Sequence, residues 1–200
     1  YENGEGVDED PAEAARLYRM AADKGDAAAQ CNLGSLYEDG RGVEQDWNQA
    51  AAWYKKAAIS EYPRAMRNFG VCCEFGRGVK KDVKSAAAWY HKAAEQGDRV
   101  AACNLGYLYE SGEGVEQSWT EAVRWYKIAV ELQSPRAQHN LAWCYENGKG
   151  VAKDLTKAVE LYQAAADQGF EDASEALERL KSAKPERREK GSFLKGFFGG

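Results

Sequence analysis

Residues 31–47 read CNLGSLYEDGRGVEQDW, and residues 103–119 read CNLGYLYESGEGVEQSW. Two segments 72 residues apart that agree this closely mark an internal duplication, and the smaller period inside it is 36. Gly40-x-Gly42-Val43 recurs at Gly4-x-Gly6-Val7, Gly76-x-Gly78-Val79, Gly112-x-Gly114-Val115 and Gly148-x-Gly150-Val151, without a single insertion. Three further columns keep that register: Ala14 to Ala158, Tyr18 to Tyr162 and Ala29 to Ala173, each stepping by 36. Pro63-Arg64-Ala65 returns as Pro135-Arg136-Ala137, so alternate units are more alike than neighbours. Tyr1 falls inside a unit, which implies a longer array.

Within each unit the apolar spacing predicts two helices. Ala29, Leu33, Leu36 and Tyr37 share one face after a break at Gly25 and an N-cap at Asp26. A second helix starts near Asp46, with Gln49 completing a capping box; Asp10/Glu13 and Ser118/Glu121 repeat the box, and Pro11 suits a first helical position. Asp82 and Asp154 are caps without that partner. Ala50, Trp53, Tyr54, Ala57 and Ala58 give the second apolar stripe. Gly34, Gly70 and Gly106 stand in mid-helix, where glycine costs about 0.5–1 kcal/mol relative to alanine. A cost repeated three times predicts close approach of the paired helix. Gly-x-Gly-Val is then the turn that ends the first helix.

The pattern Ala-x3-Leu-Gly-x2-Tyr-x2-Gly-x-Gly-Val-x2-Asp-x3-Ala-x2-Trp-Tyr-x2-Ala-Ala resembles the Sel1-like repeat, a relative of the tetratricopeptide repeat, over about residues 1–180. Cys73 departs from it at the tyrosine, Leu17 and Leu161 at the tryptophan, and Ala142 at the glycine. The resemblance implies an all-α fold: a right-handed α/α superhelical solenoid of 36-residue helix-turn-helix repeats. The solenoid is expected over 1–183, with a half repeat at 1–24, four full repeats over about 25–168 and a capping helix at about 170–183. A tail over 184–200, basic and then rich in Phe and Gly, is expected to be flexible.

Charge and composition narrow the function. The formal net charge of −5 disfavours nucleic acid as a partner. Residues 181–200 carry six basic side chains and two acids, leaving an array of about −9 beside a tail of about +4. No run approaches the roughly 18 apolar residues of a membrane span. The glycine turns lack the Lys-Ser/Thr of a phosphate loop, since Val follows the second glycine each time. Two histidines and scattered carboxylates give no nucleophile–base arrangement, so no enzyme activity, cofactor or metal is expected. Cys31, Cys72, Cys73, Cys103 and Cys144 form no metal spacing and lack the regular pairing of the family's disulfide-stapled members. They read as structural thiols, favouring a reducing compartment such as the cytoplasm.

The resemblance implies a protein-binding scaffold or adaptor whose first helices line a concave groove. Asn32, Asn68, Asn104 and Asn140 recur there. Their amides are suited to clamping the main chain or carboxylate of a bound peptide, and equally to bonding neighbouring helices. Arg64, Arg67, Arg136 and His139 add positive charge beside them, and Tyr107 and Trp143 add aromatic surface. That composition is typical of interface hot spots and suggests an acidic or C-terminal peptide segment. Solvated charge and aromatics packed between neighbours are the plainer alternative. Trp53, Trp89 and Trp125 read as core, and Trp47 and Trp119 as covers of the helix-pair junction. Phe193, Leu194, Phe197 and Phe198 leave open a membrane contact through residues 193–198, the alternative being a membrane-associated regulatory protein. Partner identity and oligomeric state stay open.

Overall fold

The structure, a computed structural model, describes residues 10–182. These form ten helices and no strand: α1 (Pro11–Ala22), α2 (Ala27–Asp39), α3 (Trp47–Ile59), α4 (Pro63–Phe75), α5 (Val83–Glu95), α6 (Arg99–Ser111), α7 (Trp119–Glu131), α8 (Pro135–Asn147), α9 (Leu155–Ala166) and α10 (Glu171–Ser182). Each packs mainly on the helix before it and the helix after it, as a solenoid requires. The expected tail, the Gly4-x-Gly6 turn and the contact at 193–198 lie outside the described residues.

Local chemistry sets the helix ends. Asp26 accepts from the Ala29 N–H at 2.7 Å, and Asp82 takes both the N–H and the hydroxyl of Ser85 at 3.0 and 2.6 Å. Asp46 accepts from Asn48 and Gln49, and Ser118 from Glu121. The capping boxes, however, are only half built. The N–H that the Gln49 or Glu121 side chain would receive is already spent: Asp46 N–H donates to the Tyr37 carbonyl at 2.9 Å and Ser118 N–H to Tyr109 at 2.8 Å. Asp82 and Asp154 repeat this bond to Cys73 and Tyr145 at 2.8 and 2.9 Å. It ties the second helix of each unit to the end of the first, which a local box cannot do.

The mid-helix glycines do what their recurrence predicted. A Cβ on Gly34 would stand 2.7 Å from the Tyr54 ring, on Gly70 2.7 Å from Tyr90, and on Gly106 2.6 Å from Tyr126. Those rings, with Tyr162, are fully buried. Small residues around them, Ala50, Ala57, Ala86, Ala93, Ala122 and Ala129 among them, let the paired helices approach this closely.

The second glycine of each turn has a role beyond ending a helix. A Cβ on Gly42 would lie 2.0 Å from the Pro11 carbonyl oxygen, on Gly78 1.8 Å from that of Trp47, on Gly114 2.6 Å from that of Val83, and on Gly150 2.2 Å from that of Trp119. The turn therefore rests, backbone on backbone, on the first residue of the preceding unit's second helix. Trp47 and Trp119 are half-buried over that junction, with the Arg77 guanidinium 4.9 Å from the Trp47 ring and the Lys149 ammonium 5.5 Å from the Trp119 ring.

One expected core residue is only partly covered. Trp53 and Trp125 are buried, but Trp89 is half-buried, edge-on to Phe69 at 5.6 Å. The preceding unit supplies the cover in the first two cases, Arg19 at 5.8 Å from Trp53 and His91 at 5.0 Å from Trp125. The equivalent position before Trp89 holds Lys55, an exposed side chain, and the cation over that ring is Lys92 of its own helix at 5.0 Å.

Candidate functional site: the face of the even-numbered helices

Helices α2, α4, α6, α8 and α10 stand side by side and present two parallel lanes of polar side chains. The first lane lies toward their N-terminal halves. Arg64 of α4 reaches back to α2, donating to Asn32 Oδ1 and to Cys31 Sγ, the latter at 3.3 Å. Seventy-two residues on, Arg136 of α8 donates to Asn104 Oδ1 of α6 at 3.2 Å. Asn68 and Asn140 direct Nδ2 toward Cys31 and Cys103 at 4.0 and 3.8 Å, long contacts that leave the amides short of partners. All four asparagines are half-buried and all four are tied to a neighbouring helix. Asn104 makes a further contact with the Tyr90 hydroxyl.

The cations of this lane differ in what answers them. Arg67 is matched inside the fold: its guanidinium meets Asp98 at 3.3 Å and Asn68 Oδ1 at 3.1 and 3.2 Å. Arg64 and Arg136 are exposed and have no carboxylate partner among the described residues. His139 lies between the rings of Tyr162 and Phe170 at 5.3 and 5.4 Å, with Nδ1 3.3 Å from Asn140 Oδ1. Its ring serves packing as well as the surface. Of the aromatics, Tyr107 is 42% exposed, whereas Trp143 is half-buried and stacks on Trp119 at 5.6 Å.

A second lane, toward the C-terminal halves, escaped the sequence reading. Glu38, Glu74, Glu110 and Glu146 form a column at the 36-residue step. Each accepts the hydroxyl of the buried tyrosine of its own unit: Tyr54 at 2.5 Å, Tyr90 and Tyr126 at 2.6 Å, and Tyr162 at 2.9 Å. Burial first, and then the adjacent carboxylate, push all four tyrosines above the ordinary phenol value, so they stay protonated donors. Glu146 also receives Arg179 of α10 in a bidentate pair at 2.7 and 2.8 Å. That pair, ahead of the opposing effect of burial, holds the Glu146 carboxyl below the usual range. An open groove of about 460 Å³ follows, lined by His139, Trp143, Asp172, Glu175 and Arg179. The signal was present in the sequence as a glutamate column just before the turns; it passes for surface charge because its tyrosine partners lie 16 residues away.

Cys31 and Cys103 give the first lane sulfur acceptors, but no cysteine is an activated thiol. All five are buried and unpaired with each other. Burial raises Cys72 and Cys144 to about 12 and Cys103 to about 11, the reverse of what a nucleophile or a metal ligand needs.

The Sel1 repeat matches over residues 1–26, 27–61, 63–98, 99–134 and 135–170. These spans take in the helix pairs α2–α3, α4–α5, α6–α7 and α8–α9. A solved Sel1 repeat protein from Oxalobacter formigenes is 37% identical at a TM-score of 0.87, covering 94% of this chain and 78% of its own. The c5321 protein, a protective antigen of uropathogenic Escherichia coli with an SLR fold, is also 37% identical, at a TM-score of 0.84. That match covers 90% of this chain but spans only 38% of the antigen. Helicobacter pylori cysteine rich protein B is 25% identical at a TM-score of 0.53, over 66% of this chain and 96% of that one. No curated protein matches the chain.

Proposed function

The chain belongs to the Sel1 repeat family, and from that premise we propose that it is a non-catalytic scaffold whose even-helix face is a concave groove for an extended segment of a partner protein. Sel1 repeat proteins generally serve as protein-interaction scaffolds. One observation carries the assignment to this face. Four asparagines recur in register along it: two whose Nδ2 groups meet only distant thiols while their Oδ1 atoms face Arg67 and His139, and two held by arginines that reach across from the next unit. Amides at a regular step are matched to a main chain, which offers one donor and one acceptor per residue whatever its sequence. Arg64, Arg136 and Tyr107 supply exposed charge and aromatic surface beside them, with Arg67, His139 and Trp143 as the more buried members of the group. The solvent-exposed cations suit an acidic or C-terminal segment.

Photo-crosslinking tests the reading. A benzoyl-phenylalanine at Tyr107 should trap the partner, and one at Lys55 on α3 should not. Reversing Arg64 and Arg136 to glutamate should weaken the trapped partner's affinity about tenfold or more, since charge-assisted contacts are worth about 1.5–3 kcal/mol. Capture from Lys55 with no effect of the reversals would place binding on the odd-numbered helices and end the assignment.

A further inference from the structure

The second lane contains a filled example of what it could bind. At Glu146, Arg179 meets the carboxylate end-on as a fork, NH1 to Oε1 at 2.7 Å and NH2 to Oε2 at 2.8 Å. Glu146 belongs to the fourth of four equivalent sites, and Arg179 stands one 36-residue step after Trp143, two after Tyr107 and three after Val71. Repeat equivalence therefore sets Trp143 beside Glu110, Tyr107 beside Glu74 and Val71 beside Glu38. At Glu74 and Glu110 the carboxylate keeps its tyrosine bond at 2.6 Å, yet no Lys, Arg or His among the described residues pairs with it. One hydroxyl donor satisfies a fraction of a carboxylate's acceptor capacity. An aromatic neighbour in place of Arg179 adds a π-face, the second component of cation recognition.

We propose that Glu74 with Tyr107, and Glu110 with Trp143, are two seats for arginine or lysine side chains of the extended segment lying in the groove. The inference rests on the groove reading above and adds a second charge to its segment: acidic groups or the C-terminus meet Arg64 and Arg136, and basic side chains meet the glutamate lane. The array's charge of about −9 draws these basic side chains in. Packed helices stand about 8–10 Å apart and an extended chain advances about 3.3 Å per residue, so neighbouring seats read side chains about three residues apart. Arg179 keeps the Glu146 seat closed, and Val71 leaves the Glu38 seat without an aromatic wall.

The test uses a fluorescein-labelled, end-capped dodecapeptide of glycine and serine carrying two arginines three residues apart. Two companions carry citrulline or glutamate in place of arginine. Anisotropy with the whole chain should show the arginine peptide binding about tenfold or more tighter than the citrulline peptide, which has the same shape and no charge. Glu74→Gln and Glu110→Gln should each weaken it several-fold, and Glu38→Gln should weaken it less. Glutamine still accepts the tyrosine hydroxyl, and an unchanged melting temperature will confirm that the fold is intact. Arg179→Gln should open a third seat and tighten a three-arginine peptide.

Equal binding of arginine and citrulline peptides, no binding of either, or indifference to both glutamine variants would each overturn the seats. Preference for the glutamate peptide, lost on reversing Arg64 and Arg136, would overturn them while leaving the groove reading in place. Self-association in sedimentation that disappears in Glu74→Gln and Glu110→Gln would make a second copy the occupant and end the peptide proposal. Loss of the groove reading itself shows separately, as capture from Lys55 rather than Tyr107.

Discussion

Two kinds of turn alternate along this array, and glycine means something different in each. The turn within a unit carries Gly-x-Gly, and its second glycine, φ +67° to +73° at positions 42, 78, 114 and 150, touches the main chain of the unit before. The turn between units adopts the left-handed region at one position, with Gly25, Gly97 and Gly169 at φ +93°, +85° and +81°. There a Cβ would meet nothing within 4 Å. The intervening units put Glu61 and Gln133 at that place, with φ +57° and +59° and the same closing bonds, Tyr62 N–H to Ala57 and Ser134 N–H to Ala129. The second glycine of Gly-x-Gly is therefore required by a neighbour, and the glycine between units only by its own backbone. A requirement set by a neighbour admits no substitute; one set by torsion alone is a matter of about 1 kcal/mol, and the sequence spends it in two units.

Several measurements would break or sharpen this contrast. The largest effect should come from alkaline pH, which acts on the layer beneath both turns. The buried tyrosines, and Cys72, Cys103 and Cys144, have raised values in the fold against about 10 and 8.5 in an unfolded chain. Their contribution to stability is complete below about pH 8.5 and is lost as pH rises through the folded values, so the urea midpoint under reducing conditions should fall steeply from pH 8 to 11. An unchanged midpoint would mean that the layer is open to water. Gly78→Ala comes next, with at least about 3 kcal/mol lost in urea unfolding, because its Cβ would stand 1.8 Å from a carbonyl oxygen. Gly106→Ala should cost about 1–2 kcal/mol: the Tyr126 ring must shift, and better helix propensity offsets part of that. Ala142 shows that such a shift is possible, since its unit has the longest tyrosine–glutamate bond of the four, 2.9 Å. The smallest effects belong to the open turn. Gly97→Ala should lose, and Gln133→Gly gain, about 1 kcal/mol or less; a loss like that of Gly78→Ala at position 97 would erase the distinction.

The fold was legible because its requirements repeat. Gly34, Gly70 and Gly106 could be read as close-approach sites from recurrence alone, and the tyrosine rings stand where that reading needs them. What stayed hidden were contacts whose partners lie a unit away. Gly42 and Pro11 are 31 residues apart in the chain, and nothing local marks the pair. Arg67 meets Asp98 over the same separation, so an arginine that looks free in the sequence is neutralised in the fold. The capping boxes misled for a related reason: Asp46 and Gln49 have the right local spacing, but the N–H they would share goes to Tyr37. The asparagine column was visible as a candidate site, whereas the glutamate column was not, because its tyrosine partners sit on the other helix of the unit.

The carbonyl that each seam glycine meets belongs in turn to a proline, a tryptophan, a valine and a second tryptophan. A joint that reads only main chain is indifferent to which module stands on either side of it. Gain or removal of a 72-residue block keeps both this main-chain contact and the alternating side-chain contacts across it, which is the kind of tolerance a copying event of that length needs in order to yield a folded product at once. The length of such an array, and so the number of side chains it can read in a row, is free to change without any new interface being invented.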